Sequence, residues 1–255
     1  MKIMLTEERR SLIENYVNEH ELCRVAELCK LTDTSESTIR RDLIQMEKSG
    51  ILKRVHGGAQ SVKNFSRDVS QNVRFNLNHD AKIEIAKYAA EHFVHSGDNI
   101  FIDAGTTTYE MVPFLAEIPD VKIITNGVET ALCSLNYGIE TILIGGKVKD
   151  DTHAVIGQTA LKQIKGMNFS ASFIGANGIE KNGNITTPDP EESAIKAAEI
   201  AQAHKAYVLT DSSKIGERNF AVFANVDDVC VIINKLNQSQ KKALPAGIKI
   251  EEVQK

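Results

Sequence analysis

The chain has 255 residues, of which 42% are hydrophobic and 25% are charged, and it can bury a sizeable core in one or two domains. Its 30 basic and 34 acidic residues give a formal net charge of −4, which over the whole chain argues mildly against a nucleic-acid partner. Apolar runs stay short of the roughly 18 residues of a membrane span, and the first residues do not resemble a signal peptide. We therefore expect a cytoplasmic protein with no membrane partner.

Cysteine and histidine usage gives no sign of a disulfide framework or a metal site. His92 and His95 are three residues apart, but no cysteine or carboxylate cluster accompanies them. We expect no metal and no cofactor. No Cys-x-x-Cys spacing occurs, so free thiols are expected at Cys23, Cys29, Cys133 and Cys230.

The first segment predicts three short helices and a hairpin. Thr6 is a candidate N-cap, because acidic residues follow it in the first turn. A second helix is predicted over residues 24–31. Ser35 is expected to cap a third helix, which ends at Gly50. Residues 51–58 then alternate as a short strand and end in a Gly-Gly turn.

Three helices followed by a small hairpin form a winged helix-turn-helix. At 100° per residue, the third helix turns Ile39, Leu43 and Met46 toward the core. The opposite side, which extends to Lys48, is polar and basic and suits a major groove, while the hairpin suits phosphate or the minor groove. The predicted DNA-binding residues are Ser35, Ser37, Thr38, Arg40, Arg41, Gln45, Lys53, Arg54 and His56.

The charge of this segment is distributed differently from that of the whole chain. Residues 34–58 carry five basic and three acidic residues, whereas residues 63–255 carry 20 basic and 24 acidic ones. A local positive face would bind DNA, and an acidic remainder would oppose non-specific adhesion. The alternative interpretation is that the two basic pairs, at 40–41 and 53–54, are ordinary solvated charges.

A longer pattern supports the DNA-binding interpretation. Residues 35–43 read Ser-Glu-Ser-Thr-Ile-Arg-Arg-Asp-Leu, and Glu47, Gly50, Leu52, Arg54 and His56-Gly57-Gly58-Ala59 follow. This pattern resembles the DNA-binding signature of DeoR-family repressors. The resemblance implies that Arg40 and Arg41 read the operator and that residues 53–56 form the wing. Asp42 either orients a neighbouring arginine or forms a surface pair one helical turn away.

The rest of the chain predicts a second, larger domain of the α/β class. We expect a DNA-binding domain over 1–58, a linker over 59–77 that is partly helical near 66–75, a sensor domain over 78–235 and a C-terminal extension over 236–255. Short apolar strands that alternate with helices indicate a mainly parallel sheet covered on both faces. Strands are predicted at 99–103, 122–126, 141–144, 172–175, 207–210 and 229–233, and helices from 80 to 93 and at 108–115, 129–135 and 190–204.

Five of these strands end in polar or glycine-rich sequences. Ligands of parallel sheets bind beyond the carboxyl ends of the strands. The first such end, residues 103–108, offers backbone N–H groups and hydroxyls that suit a phosphate. Each sequence alone is more typical of a cap, a tight turn or a surface lysine, but five that converge would bind a small polyhydroxylated anion. The nucleotide-binding patterns GxGxxG and GxxxxGK[ST] do not occur.

Over residues 78–235 these five strand ends resemble the DeoR C-terminal sensor domain, which is related in fold to ribose-5-phosphate isomerases. The resemblance implies a phosphorylated sugar as effector, with its phosphate on residues 105–108. Residues 188–192 could also be only a helix start with proline in its first turn. The effector-binding residues that the resemblance implies, directly or as supports, are Asp103, Gly105, Thr106, Thr107, Thr108, Thr125, Asn126, Gly145, Gly146, Lys147, Gly175, Asn177, Gly178, Asp189, Glu192 and Lys214.

Two other functions compete with this one. A sugar-phosphate isomerase would need a carboxylate base, for which Asp103 or Glu192 would serve, and a cation such as Lys214 to stabilise the oxyanion. The fused DNA-binding domain favours a switch over a catalyst, so we expect no enzymatic activity. A DNA-binding scaffold that has lost its ligand is disfavoured by the nearly complete set of strand-end residues.

The effector and the assembly are expectations of finer detail. Residues 186–192 and the Ser-Glu-Ser-Thr start of the third helix look most like those of fructose-operon repressors, which implies fructose 1-phosphate as inducer. Similar repressors of lactose phosphotransferase operons respond to tagatose 6-phosphate, and the residues do not separate the two ligands. One recognition helix and one wing cover a short half-site of operator DNA, so we expect a homodimer or homotetramer.

Overall fold

The computed structural model describes residues 5–20, 22–55, 57–61, 71–245 and 247–253. Its contacts divide the chain into two compact units, one that ends at Val73 and one that begins at Arg74. Each unit has its own hydrophobic core, and each is described separately.

The first unit is a winged helix-turn-helix, which confirms the sequence prediction. Strand β3 lies between β1 and β2 and pairs antiparallel with both. Ile39, Leu43 and Met46 of the third helix are buried against α1 and α2, as predicted from their spacing. The elements are α1 (Thr6–His20), β1 (Leu22–Arg24), α2 (Val25–Thr32), α3 (Glu36–Lys48), β2 (Leu52–Val55) and β3 (Gly58–Ser61).

Most boundaries of this unit follow local signals. The Ser35 hydroxyl accepts the Thr38 N–H and caps α3, and Gly50 lies beyond the end of that helix at φ +71°. Thr6 is the first residue of α1 and not its N-cap, since the carbonyl of Leu5 accepts the Arg9 N–H. Strand β1 was not predicted from the sequence, and most of β3 falls within the predicted linker. His56, predicted to contact DNA, lies outside the described residues.

Asp42 joins the third helix to the first. Its carboxylate is buried and accepts from Arg9 Nε at 2.6 Å and from Arg10 Nε at 2.9 Å, both on α1. The interpretation of Asp42 as a surface pair within its own helix is therefore wrong. It does orient arginines, but those of α1, and it thereby fixes the angle at which α3 presents its outer face.

The second unit is an α/β domain, as predicted. Helix α4 (Gln71–Asn76) contains the boundary between the units. The elements that follow are α5 (His79–Phe93), β4 (Asn99–Ile102), α6 (Thr106–Tyr109), α7 (Val112–Leu115), β5 (Lys122–Thr125), α8 (Val128–Asn136), β6 (Glu140–Leu143), β7 (Lys147–Val148), β8 (Val155–Ile156), α9 (Gln158–Ile164), β9 (Phe169–Gly175), β10 (Gly178–Ile179), β11 (Asn184–Thr187), α10 (Pro190–Ala201), β12 (Ala203–Thr210), β13 (Ala221–Asn225), β14 (Cys230–Asn234), α11 (Gln238–Lys242) and β15 (Ile250–Val253).

A seven-stranded, all-parallel sheet forms the centre of this unit, in the order β15-β14-β12-β9-β4-β5-β6. Alternate residues of one strand serve opposite faces. Ile100 and Ile102 face the core beneath α5 and α7, while Phe101 faces α9 and α10. A small antiparallel sheet, β10-β11-β13, packs over the second face near β12 and β14. The predicted parallel sheet, covered on both faces, is confirmed.

Several elements of the second unit differ from the sequence predictions. The helix predicted over 108–115 is two single-turn helices, α6 and α7, and Pro113 lies at the start of the second. The helix predicted to reach His204 ends at Ala201, where β12 begins almost immediately. The predicted C-terminal extension contains β15, which pairs with β14, so the sheet continues beyond residue 235.

Two general expectations also concern the whole chain. All four cysteines are free thiols, as expected. Within the part of the chain that the structure describes, no helix combines the length and the apolar character that crossing a bilayer requires.

The Asp42 contact predicts a large difference between two acidic residues of α3. Replacing Asp42 by Ala leaves the buried Arg9 guanidinium without its carboxylate and should destabilise the first unit by about 2–4 kcal/mol. Replacing Glu36, whose pair with Arg40 is exposed, should cost at most about 0.5 kcal/mol. Hydrogen exchange of the α1 and α3 amides in the full chain measures both. Equal protection in the two variants would contradict the structural role of Asp42.

Candidate functional site

The five predicted strand ends belong to five neighbouring strands, β12-β9-β4-β5-β6, and lie together where the carboxyl ends of these strands meet. Ile102 is in register with Thr125 on one side and with Phe173 on the other, so Asp103 and Asn126 both lie just beyond their strands. At about 4.8 Å between strands, the five ends span roughly 19 Å. This width exceeds the length of one hexose phosphate, so one such ligand would be too short to reach both outer ends.

Asp103 organises the centre of this edge. Its side chain is 1% exposed. One oxygen accepts the Gly105 N–H at 2.7 Å and the Thr108 hydroxyl at 2.8 Å; the other accepts the Gly175 N–H at 2.9 Å and the Lys196 ammonium. A single carboxylate thus connects β4, α6, β9 and α10.

The turn after β4 has no room for a side chain at Gly105. A Cβ atom built there would lie 2.7 Å from Asp103 Oδ1 and 2.9 Å from Thr108 Oγ1. The backbones of Gly105 and Gly175 approach each other on the same side. The glycine predicted to contact phosphate therefore has a second role, because it lets the two strand ends share the Asp103 carboxylate.

A second polar cluster lies at the first turn of α10. The Lys149 ammonium is 3.0 Å from Asp189 Oδ2 and 3.1 Å from Glu192 Oε1. Thr152 donates to the same Glu192 oxygen at 2.7 Å. Asp189 also caps α10 by accepting the N–H groups of residues 191 and 192. The predicted helix start is thus present, and the contact of Asp189 with an effector stays a prediction. Burial raises the pKa of Asp189, but hydrogen bonds from Lys149 and these N–H groups outweigh it and hold the pKa below its ordinary value.

Thr187 connects this cluster to the strand ends. Its hydroxyl lies 3.2 Å from Asn177 Oδ1 and 3.4 Å from Glu192 Oε2. Asn177 lies two residues after the end of β9 and one residue before Gly178, which begins β10 and pairs with Thr186. Predicted residues from β4, β9 and α10 therefore lie in one connected network.

Two buried charges beneath this network were not predicted. Burial alone would lower the pKa of Lys196, but the carboxylates of Asp103, Glu199 and Glu192 raise it above its usual value. Glu199, on the same helix, is fully buried, and neither of its oxygens has a hydrogen-bond partner among the described residues. Burial raises the pKa of Glu199 well above its ordinary value, the Asp103 charge adds to this, and Lys196 opposes it.

Some polar groups at the same edge have no partner in the described chain. The hydroxyls of Thr106 and Thr107 make no side-chain hydrogen bond there, whereas Thr108 is committed to Asp103. Asn126 donates to the Val155 carbonyl at 3.4 Å, but its buried Oδ1 accepts nothing. The neighbouring Thr125 hydroxyl is used within the turn, where it accepts the Gly127 N–H.

The two outer strand ends are separate from this centre. Gly145, after β6, exchanges hydrogen bonds with the Gln163 side chain, and Gly146 follows it at the surface. Among the described residues, the exposed Lys147 ammonium pairs with Glu191, at 3.5 Å.

Lys214 lies in a 3₁₀ turn over residues 212–214, after β12. Its charge acts on the buried Lys82. Burial is the main cause that lowers the pKa of Lys82 to about 8; the Asp211 charge opposes this shift and the Lys214 charge contributes to it. The Asp211 carboxylate accepts from Asn78 at the start of α5, beside a polar hollow of about 450 Å³. The structure thus places Lys214 with α5 and not with the Asp103 network.

The carboxylates offered for an isomerase mechanism are already engaged. Both oxygens of Asp103 accept hydrogen bonds, and both oxygens of Glu192 do so as well. A general base must reach the proton that it removes. Neither residue presents a free oxygen for this purpose.

In the first unit, the outer side of α3 and the hairpin carry the predicted DNA-binding residues. Ser35 and Thr38 share the N-cap of α3, and Ser37, Arg41 and Gln45 are exposed on the side opposite the core. Arg40 is paired with Glu36 at 2.5 Å, and the guanidinium of Arg54 lies 3.7 Å from Glu47.

The remaining cations of this surface have no acidic partner. Each of the three acidic residues in 34–58 is already engaged, Asp42 by α1. In contrast, Arg41, Lys48 and Lys53 are exposed and form no ion pair with any described residue. These three side chains can meet DNA without first breaking an internal salt bridge.

Sequence reasoning missed Lys149, Thr152, Thr187, Lys196 and Glu199. One signal was available for the helix: Glu192, Lys196 and Glu199 recur at i, i+4 and i+7 beside Ile195 and Ala198, which are buried. Charges at the spacing of an apolar face indicate a buried polar network. The loop residues gave no comparable periodic signal.

Comparison with known families agrees with this geometry. Residues 9–65 match the DeoR-like helix-turn-helix domain, and residues 77–235 match the DeoR C terminal sensor domain. The fold and the two sites define a DNA-binding transcriptional regulator with a separate sensor domain. The chain belongs to the DeoR family.

Individual relatives are regulators as well. The HTH-type transcriptional regulator FruR of Bacillus subtilis (strain 168) is 41% identical over 229 residues, which cover 90% of this chain and 91% of the relative. A lactose phosphotransferase system repressor of Streptococcus mutans serotype c is 31% identical over 242 residues and covers 93% of this chain and 95% of its own. Both are named regulators, in agreement with the expectation that this chain is not an enzyme.

Among solved structures, ribose 5-phosphate isomerase A of Methanocaldococcus jannaschii aligns with 54% of this chain and 54% of its own at 20% identity and a TM-score of 0.40.

Glu199 predicts a defined pH dependence of stability. Because its folded-state pKa is raised, the folded chain holds a proton that the unfolded chain releases above about pH 4.5. Its contribution to stability is complete below that pH and is lost as pH rises through the folded-state pKa, by up to about 1.4 kcal/mol per pH unit. Glu199→Gln should remove this loss, so that the variant gains stability relative to wild type as pH rises. Denaturant unfolding at several pH values measures the difference.

The exposed Glu191 on the same helix provides the control, since Glu191→Gln should leave the pH dependence unchanged. A constant difference between wild type and Glu199→Gln across the pH range would contradict the raised pKa.

Proposed function

We propose that this protein is a sugar-responsive transcriptional repressor that binds operator DNA through α3 and the hairpin and is released by a phosphorylated sugar. The sugar phosphate binds at the carboxyl ends of β4, β5 and β9, beside the first turn of α10. The observation that carries this proposal is the group of unused polar atoms that surrounds the Asp103 network.

The phosphate site is the turn after β4. The Thr106 and Thr107 hydroxyls are available there, and the first N–H groups of a helix have no partner within it. Gly105 and Thr108, which the sequence analysis also assigned to phosphate, hold the turn in shape by donating to Asp103. The site thus has donors in a fixed arrangement, which an anion requires.

The sugar itself lies toward Asn126, Asn177 and the Lys149–Asp189 pair. These side chains offer both donors and acceptors, as the hydroxyl groups of a sugar require. A hydroxyl that donates to Asn126 Oδ1 satisfies a buried acceptor, whose lack of a partner costs about 1–3 kcal/mol. Lys196 supports this surface from below through its ion pair with Asp103.

Fructose 1-phosphate is the proposed effector. The sequence of residues 186–192 supports it through its resemblance to fructose-operon repressors, and within the structure these residues form the end of β11 and the first turn of α10, beside the proposed site. Tagatose 6-phosphate is the alternative, since one relative is a lactose phosphotransferase system repressor. Both carry a phosphate and several hydroxyls.

The switch is limited by the effector's preference for one state. An effector shifts the protein between DNA-binding and released states only by the difference in its affinity for the two. A factor of 100 in operator affinity corresponds to about 2.7 kcal/mol of such a difference.

The proposed effector should act on both the stability and the DNA binding of the protein. Fructose 1-phosphate should raise the melting temperature of the protein and weaken operator binding at fixed salt, whereas fructose without phosphate should do neither. Thr107→Val, which removes one hydroxyl but keeps the shape, should lower the affinity roughly 10- to 100-fold because a hydrogen bond to a charged group is worth about 1.5–3 kcal/mol. Thermal-shift titration and gel-shift assays with purified protein measure both effects.

The control is Thr159→Val, an equivalent change at an exposed position on α9. A stronger response to tagatose 6-phosphate would select the alternative effector. Constant operator affinity across all phosphorylated sugars would reject the switch.

Recognition of the operator should depend on Arg41. Arg41→Ala should weaken operator binding by about 1–3 kcal/mol, because Arg41 presents an unpaired guanidinium fork on the outer side of α3. Arg41→Lys keeps the charge but loses the fork, so it should retain binding to unrelated DNA and lose preference for the operator. Fluorescence anisotropy with both DNAs at one salt concentration separates these effects.

Lys162→Ala on α9 removes one positive charge from the sensor domain and serves as the control. If Arg41→Ala binds the operator as well as this control does, α3 is not the recognition helix.

A further inference from the structure

Exposed apolar side chains of the sensor domain cluster near β6, which is the outermost strand on one side of its sheet. Eleven large hydrophobic side chains are exposed among the described residues, and five of them lie within residues 132–143. These five, which we call the α8–β6 face, are 40% to 61% exposed and comprise Leu132, Leu135, Tyr137, Ile142 and Leu143.

The α8–β6 face belongs to two packed elements, and on β6 the side chains of Ile142 and Leu143 point to opposite sides of the sheet, so the apolar surface borders the outer edge of this strand on both sides. Helix α8 packs against β6, the outermost strand of the sheet. Its inner side is small and polar, with Thr130, Ala131 and Ser134 buried, while Leu132 and Leu135 point outward three residues apart. The usual arrangement of a surface helix is thus reversed, since its largest apolar side chains face outward.

The backbone of β6 is also open on one side. A parallel sheet is normally buried, and monomeric proteins protect an exposed edge strand with lysine, proline, a bulge or a covering segment. Strand β6 reads Glu-Thr-Ile-Leu, and its one charge, on Glu140, is neutralised by Lys122 at 2.7 Å. Strand β6 therefore carries no unpaired charge of its own that would keep another strand from its outer row of N–H and C=O groups.

The opposite edge of the same sheet is different. Strand β15 carries Glu251 and Glu252, and Glu252 accepts the Leu236 N–H and pairs with Lys241 of α11. Two glutamates and an ion pair with α11 thus protect β15, whereas β6 has a single charge, already paired, and a neighbouring helix whose outer side is apolar. Of the two outermost strands, β6 is therefore the one beside which a further strand can pair.

We propose that the α8–β6 face binds the same face of a second copy of this chain. Two copies of β6 related by a two-fold axis run antiparallel, so each supplies the hydrogen-bond partners that the other lacks and the two sheets become one. The helices α8 then meet across the axis through Leu132 and Leu135. An isologous contact of this kind is closed and gives a dimer.

The area of the face agrees with a dimer. Five large side chains that are about half exposed give an apolar surface on the order of a few hundred Å², which is the size that marks interaction sites. A stable interface buries about 800 Å² per partner, of which about 65% is apolar in homodimers. A single winged helix reads only a half-site, so a second copy is the occupant that also pairs the DNA-binding units.

The test measures the mass of the full chain in solution by sedimentation equilibrium at about 10 µM. Wild type should have at least twice the 28.1 kDa of one chain. Leu135→Glu combined with Leu143→Glu should reduce the mass at least twofold, and circular dichroism should show the same secondary structure. Phe220→Glu, at an equally exposed apolar residue outside the face, should keep the wild-type mass.

A mixing experiment tests whether the face binds itself. Leu135→Lys with Leu143→Lys should also be reduced in mass, and an equimolar mixture of the glutamate and lysine variants should regain dimers because opposite charges then meet across the axis. The proposal is overturned by a monomeric wild type, by variants that keep the wild-type mass, by an equal loss in Phe220→Glu or by a mixture that stays monomeric. A monomeric wild type would assign the face to another partner.

Discussion

The buried carboxylate of Asp103 is the contact on which the sensor domain's site depends. It lies just beyond the central strand and receives donors from a turn, a neighbouring strand and a helix on the far side of the sheet. A buried carboxylate is tolerated only when such partners neutralise and solvate it. The same requirement that keeps Asp103 satisfied therefore fixes the relative positions of the strand ends, and the polar atoms that remain unused are held in a defined arrangement around it.

The DNA-binding unit uses the same device. Asp42 is buried between α1 and α3 and accepts from two arginines of α1. It does not touch the exposed side of α3, but it sets the orientation of that side. In both units, an aspartate inside the fold positions residues that face outward.

The sequence was sufficient to predict that the polar strand ends meet at one edge of the sheet and which face of α3 is buried, because parallel strands end at one edge and helical spacing marks an apolar face. It could not show which ends are close enough to share a ligand. Lys214 follows its strand as expected, yet the sheet order puts it two strands from Asp103, and its turn packs near Lys82. Gly105 and Thr108 were predicted to contact phosphate, but only the folded structure shows that both donate hydrogen bonds to Asp103. The pairing of Asp42 with α1 depends on contacts across more than 30 residues, which local spacing does not encode.

The three unpaired cations of the DNA-binding surface have a consequence for the ionic conditions under which the protein works. A cation that meets a phosphate releases a condensed counterion from DNA, and the affinity then falls with salt with a slope of about −0.9 per phosphate neutralised. Arg40 and Arg54 already have carboxylate partners, so contact with DNA exchanges one anion for another and adds less to this slope. Most of the salt dependence of DNA binding is therefore expected from Arg41, Lys48 and Lys53. A surface with few free cations retains more of its affinity when intracellular ion concentrations rise, and discrimination between sequences depends correspondingly more on the shape and hydrogen bonds of α3.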